Sequence, residues 1–248
     1  SKLLEKMRLG YFDTIEEAEA KGGSSFLLPM LAKDYKKEAK KVKFPCYVQP
    51  KLDGMRSLHD NGFISRTGKA VDTLGHIVIP DTQGLVLDGE LYAHGISFQE
   101  NMKLIKKYRK GQTEQVKYHV YDMVMDAPFS ERYLTLAKLV GGLGHVELVH
   151  CQRIHSEEEL ITVHQQYLSL GYEGTMIRHS EEGYQVNKRS SQLLKYKDFL
   201  DEVYEVFDVV PSESRPEQGI VVCTSEYGSF SCGMKFPHEA REEILRNK

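Results

Sequence analysis

The sequence predicts an α+β fold, and three observations carry that reading. Short β-branched or aromatic runs alternate with a few capped helices up to Phe199, and beyond Phe199 come strands joined by Gly-containing turns with no helix between them. At 248 residues and 40% hydrophobic, the chain can bury one large core, or a medium and a small one.

The strand-like runs come in the order "CYVQP", "GFISR", "GLVLDGELYA", "VKYHVYDMV", "VELVHC" and "EGTMIR", each bounded by Gly, Pro or Asp. Between them lie three helix signals. Ser97 with Glu100 forms a capping box ahead of "FQENMKLIKKYRK". A second helix is expected from Ser130 through "ERYLTLAKLV" to Gly141-Gly142. Ser156 with Glu159 makes another capping box ahead of "ELITVHQQYLSLG". There Leu160, Val163, Tyr167 and Leu168 recur at helical spacing, and Gly171 stands where a C-terminal cap belongs.

Past Phe199, "VYEVFDVVP", "GIVVCTSE" and "GSFSCGMKF" read as strands, so two domains are expected, 1–199 and 200–248. Three strands do not close a five-stranded barrel, and "HEAREEILRNK" reads as a helix beginning, so the second domain is expected to be partial.

Several classes are excluded. No apolar run reaches the roughly 18 residues of a membrane span, and "SKLLEKMRLG" lacks the apolar core of a signal peptide, so an intracellular, cytoplasmic protein is expected. Cys46, Cys151, Cys223 and Cys232 are scattered without a CxxC pair, which argues for reduced thiols. A net charge of −3 does not announce a nucleic-acid binder, although charge can be organised locally. Basic runs at 33–43 and 103–110 read as solvated helix faces, and a third lies at 188–197.

The chemistry centres on "KLDGMR". A lysine amine is a nucleophile only when deprotonated, and neighbouring cations or desolvation make that easier. Arg56 is close in sequence to Lys51, and a tight turn at Asp53-Gly54 is expected to bring the two together, an arrangement suited to attack on phosphate. "LVLDGELY" places Asp88 and Glu90 on one face of a strand, costly unless they bind something or form structural salt bridges. "YHVYDMV" sets Tyr121 and Asp122 in an apolar strand, and "YEGTMIRH" combines Glu173, Gly174 and Arg178. In "LLKYKD", Lys195 and Lys197 share a face and would clamp a phosphate.

Taken in order, "KLDGMR", "SRTG", "LDGEL", "HVYD", "EGTMIR" and "LLKYK" resemble the nucleotidyltransferase motifs of the ATP-dependent DNA ligases, whose superfamily includes RNA ligases and mRNA capping enzymes. "PMLA" at 29–32 and "NKRSSQLLKYKDF" also read like DNA ligases. The resemblance implies an adenylation domain of antiparallel sheets flanked by helices, followed by a small oligonucleotide-binding (OB-fold) domain. It implies that Lys51 takes AMP from ATP, passes it to the 5′-phosphate at a nick in duplex DNA, and lets the 3′-hydroxyl displace it. By motif, Glu90 would bond the ribose, Tyr121 and Met176 would sandwich adenine, Gln49 would read its edge, and Leu52 would join the nucleotide contacts. Lys195 and Lys197 would grip the α-phosphate, Arg56 and Arg66 would handle the nick phosphate and sugar, and Arg189 is a further nucleotide contact. Glu173, with Glu90, would hold magnesium, and the enzyme would act as a monomer.

Two departures stand out: Tyr121 occupies a position where phenylalanine is common, and the Arg- and Lys-containing segment that many relatives carry in the OB domain has no counterpart. Alternative readings are an RNA ligase, a capping guanylyltransferase, or a nick-binding module without activity. The Glu-Gly start and terminal Arg of "EGTMIR" favour a DNA ligase over a capping enzyme.

Overall fold

A computed structural model describes residues 27–179, 181–198 and 202–247. The chain divides into two compact units, one ending at Asp198; the boundary expected between residues 199 and 200 falls outside the described residues.

The first unit is built on two five-stranded sheets. One contains β1 (Leu31–Asp34), β2 (Cys46–Lys51), β8 (Gln152–Ile154), β9 (Gly174–Arg178) and β10 (Arg189–Tyr196), in the order β1-β10-β9-β2-β8. The other contains β3 (Met55–His59), β4 (Phe63–Ser65), β5 (Leu87–Tyr92), β6 (Lys117–Met123) and β7 (Val146–Leu148), in the order β4-β3-β5-β6-β7. All pairings are antiparallel except β1 with β10 and β6 with β7.

Alternation along each strand sends apolar side chains outward to helices and polar ones inward. Val48, Ile177 and Leu194 pack with Leu160 and Val163 of α4 (Glu157–Ser169). Leu87, Leu91, Tyr118 and Val120 pack with Leu104 and Ile105 of α2 (Phe98–Lys106) and with Leu136 of α3 (Phe129–Val140). A short α1 (Tyr35–Glu38) follows β1 directly. Each sheet therefore has its own apolar core, and their inward faces are left for chemistry.

Local signals set the helix ends. Ser97 and Glu100 form the full capping box before α2. At α4 only half of the expected box exists: the Ser156 hydroxyl accepts from Glu159 N–H, but the Glu159 carboxylate accepts from the backbone of His155 instead of Ser156. Helix α3 starts at Phe129, one residue before the expected Ser130, with Pro128 as its uncapped N-cap.

The Asp53-Gly54 turn is not a hairpin. It carries the chain from β2 in one sheet to β3 in the other. Gly54 lies against β5 so closely that a Cβ would strike the Leu91 carbonyl oxygen, which only glycine avoids.

The second unit is a three-stranded antiparallel meander, β11 (Glu205–Pro211), β12 (Gly219–Ser225) and β13 (Gly228–Gly233), followed by α5 (His238–Arg246), which packs on β11 and β12. Among the described residues no helix is long and apolar enough to cross a membrane.

Candidate active site

The inward faces of the two sheets enclose a cavity of about 640 Å³. From the first sheet come Gln49, Lys51, Met176, Arg178 and Lys195, and from the second Arg56, Glu90 and Tyr121. Register explains the first set, because Met176 lies opposite both Gln49 and Lys195, and Gly174 lies opposite Lys51. Residues facing one another across strands share a face of the sheet.

Lys51 ends β2, and its ammonium is in direct contact with the Glu173 carboxylate, while Lys197 Nζ reaches the other Glu173 oxygen at 3.4 Å. Backbone reinforces the arrangement, since Glu173 N–H donates to the Lys51 carbonyl at 3.0 Å. Gly174 makes it possible. Its φ is +153°, and a Cβ there would collide with the Tyr196 carbonyl, so a side chain would push away the strand end that carries Lys197.

The charged neighbour of Lys51 is therefore a carboxylate and not the expected cation. Arg56 is engaged elsewhere: its Nε and Nη2 donate to the two oxygens of buried Asp88 at 3.0 and 2.6 Å. Desolvation opposes the Arg56 charge, but Asp88 together with Tyr121 and Tyr184 outweighs it and raises the guanidinium's pKa well above its ordinary value.

Asp88 and Glu90 do share a face, yet they differ in kind. Asp88 is fully buried and also accepts from the Tyr184 hydroxyl at 2.7 Å, so it is a structural ion pair. Glu90 lines the cavity, and among the described residues only the Tyr121 hydroxyl is bonded to it, at 3.3 Å. Burial pushes the Glu90 pKa up to about 7, with Arg56 and Lys51 partly opposing.

Tyr121 owes its direction to a β-bulge. Asp88 pairs with Asp122 and Gly89 with Val120, leaving Tyr121 as the extra residue. The bulge lets two consecutive side chains, Tyr121 and Asp122, face inward. Tyr121 borders the cavity; Asp122 receives Arg132 Nε at 2.7 Å and Arg178 Nη1 at 2.6 Å. Arg178 Nε in turn donates to Gln49 Oε1 at 2.8 Å, and Gln49 Nε2 donates to the Tyr121 carbonyl at 3.2 Å. Because Arg178 can only donate, the Gln49 amide is fixed in one orientation with one N–H still available to the cavity.

The remaining expected residues separate by position. Arg66 is exposed on a turn at the cavity rim, and Leu52 lines the wall within a small apolar cluster with Tyr92 and Val149. Arg189 lies at the rim and donates to the Ala32 carbonyl at 2.7 Å. Lys195 lines the cavity, whereas Lys197 is joined to it through Glu173. On the reverse face of that strand, buried His164 stacks on Tyr196 with centroids 3.7 Å apart and shares a 3.0 Å hydrogen bond with Thr175. Among the described residues no group of three or more His, Cys, Asp or Glu could hold a metal.

Sequence reading missed Phe98 and Met102, which α2 contributes to the cavity wall, and the whole Asp122–Arg132–Arg178 cluster. The i, i+4 spacing of Phe98 and Met102 was a signal for a shared helix face, but nothing local showed what that face meets.

Known proteins resemble this chain. A DNA ligase of Enterobacteria phage T4 is 24% identical, with 88% of this chain and 60% of the phage protein covered, so the chain spans 60% of that relative's length. A DNA ligase of Haemophilus influenzae is 28% identical over 77% of this chain and 73% of its own. Among solved structures, a Lig E DNA ligase superposes with a TM-score of 0.74 at 21% identity, over 87% of each chain, a likeness of fold. The profile of the ATP dependent DNA ligase domain matches residues 29–197, which takes in both sheets and every cavity residue named above, and the chain belongs to that family.

Proposed function

We propose that this protein is an ATP-dependent DNA ligase that seals nicks in duplex DNA. The observation that carries the reading is the meeting of Lys51, Lys195, Glu90, Tyr121 and Met176 on one cavity, with Glu173 tying Lys51 to Lys197.

In this reading Lys51 Nζ, once deprotonated, bonds to the α-phosphorus of ATP while the bond to pyrophosphate breaks. Glu173 orients the amine through its direct contact. AMP then passes to the 5′-phosphate of the nick, freeing the Lys51 amine, and the 3′-hydroxyl oxygen attacks that phosphorus and expels AMP. Lys195 and Lys197 offset charge building on the phosphate oxygens. Tyr121 and Met176 offer a ring face and a soft thioether to adenine, and the remaining Gln49 N–H reads its edge. Glu90, titrating near neutrality, suits a hydrogen bond to a ribose hydroxyl better than a metal. Arg66, exposed at the rim, would meet the nick phosphate in this reading. Arg56 supports the site through Asp88.

Magnesium, when bound, would neutralise phosphate oxygens. A site with Glu173 as its protein carboxylate fits a cation that keeps several waters and takes substrate phosphates as ligands. The three-stranded unit is assigned to an OB-fold domain on the family pattern, and the protein is taken to act as a monomer.

Intact mass after incubation with ATP and magnesium tests the reading. The wild type should gain one AMP, and Lys51→Ala none. A wild type that gains nothing would refute it, and label captured from GTP instead of ATP would move the protein to the capping enzymes.

A further inference from the structure

We infer that the stretch from Lys106 to Lys110, at the C-terminal end of α2, is a preformed docking surface for the phosphate backbone of duplex DNA beside the nick; this rests on the ligase reading. Helix α2 is part of the cavity wall through Phe98 and Met102. Residues four apart are neighbours on a helix, so Lys106 continues the row one turn beyond Met102, a step of roughly 5 Å away from the cavity. Lys107, Arg109 and Lys110 then follow with no acidic residue among them. All four cations are exposed, and among the described residues none of them is in an ion pair.

A solvated charge run ordinarily has no fixed shape, but this one is pinned. The buried Thr113 hydroxyl accepts from Arg109 N–H at 2.8 Å and donates to the Leu104 carbonyl at 3.3 Å. Gln112 and Thr113 N–H both return to the Arg109 carbonyl, and the Tyr108 hydroxyl donates to Glu114 at 2.6 Å. That last bond engages the nearest downstream acid with a neutral hydroxyl, and none of the four cations forms an ion pair with it. Four positive charges in five residues on a chain of net charge −3 make a local field that the whole molecule does not have. A polyanion with regularly spaced phosphates is the ligand that such a cationic stretch on a pinned backbone fits.

The test compares wild type with a variant carrying Lys106→Ala, Lys107→Ala, Arg109→Ala and Lys110→Ala, using a nicked duplex as probe. AMP capture from ATP without DNA should be unchanged. The KM for the nicked duplex should rise about tenfold or more at 0.1 M salt, and the slope of log affinity against log salt should fall by about 0.9 for each phosphate that the variant no longer neutralises. Unchanged KM and salt slope in the variant overturn the proposal while leaving the ligase reading intact. A wild type that captures no AMP instead removes the ligase reading itself. Loss of binding to an acidic protein without loss of DNA affinity would also overturn it, by assigning the stretch to a different partner.

Discussion

At the floor of the cleft every charged oxygen is already engaged by the protein, whereas at its walls and rim the charges are only half answered. Asp122 takes two arginines and a backbone N–H, and Asp88 takes a bidentate arginine and a tyrosine. Among the described residues Glu90 has a single hydroxyl, and Lys51 and Lys197 share one carboxylate, Glu173, so positive charge is left over for a ligand. Both regions are dense in Arg, Lys, Asp and Glu, so composition does not tell them apart. Completeness does: a saturated network has nothing to offer a ligand and acts on stability, and an unsaturated one waits for phosphates and a ribose.

The sharpest way to break the comparison is at Asp122. Asp122→Ala would leave Arg132 and Arg178, which are 2% and 4% exposed, as uncompensated buried cations. Removing one partner of such a cluster costs about 3 to 5 kcal/mol, so a large fall in urea midpoint is expected. A midpoint within about 0.5 kcal/mol of wild type, the range of ordinary surface changes, would show that the floor is not structural.

Lys195→Ala should do the reverse. Its side chain lines the cavity, so stability should move by no more than about 0.5 kcal/mol. The rate of AMP capture per folded molecule should fall about 10² to 10³-fold, the usual cost of removing one preorganised charge stabiliser. Wild-type capture rates in this variant would take Lys195 out of the reaction.

What the sequence could show follows the same division. Lys51, Glu90, Tyr121, Met176 and Lys195 lie in motifs whose meaning is local, and all of them border the cavity. Short runs also located β2, β5, β6 and β9, because alternation and turn residues are local signals. The floor was not legible. Asp122 meets Arg132 across 10 positions and Arg178 across 56, and nothing in either stretch names the other. Pairing of β1 with β10 joins residues about 160 apart, as the 159 positions between Leu28 and its bonded partner Asn187 beside these strands illustrate. The bulge that turns Tyr121 and Asp122 to one face comes from the register of β5 against β6, which sequence does not display. Arg56 was likewise expected beside Lys51, because proximity in "KLDGMR" suggested a tight turn that folds the chain back, while the chain uses those residues to cross between sheets.

The subtlest difference lies between two carboxylates on one strand, and pH can separate them. Glu90 holds its proton more tightly folded than unfolded, with a pKa raised from 4.5 to about 7, chiefly by burial. Between those values the folded state carries a proton that the unfolded state has released, so stability contributed by this group falls as pH rises through the window and levels off above about 7. Asp88, compensated by Arg56, has no such vacancy in its partners. Glu90→Gln keeps the shape and removes the titration. Discounted for water reaching the cavity, the variant should gain about 2 kcal/mol on wild type between pH 4.5 and pH 8, read from urea midpoints at both. Parallel pH dependences in the two proteins would mean that Glu90 is as well compensated as Asp88, and the distinction between wall and floor would fail at the point where the two come closest.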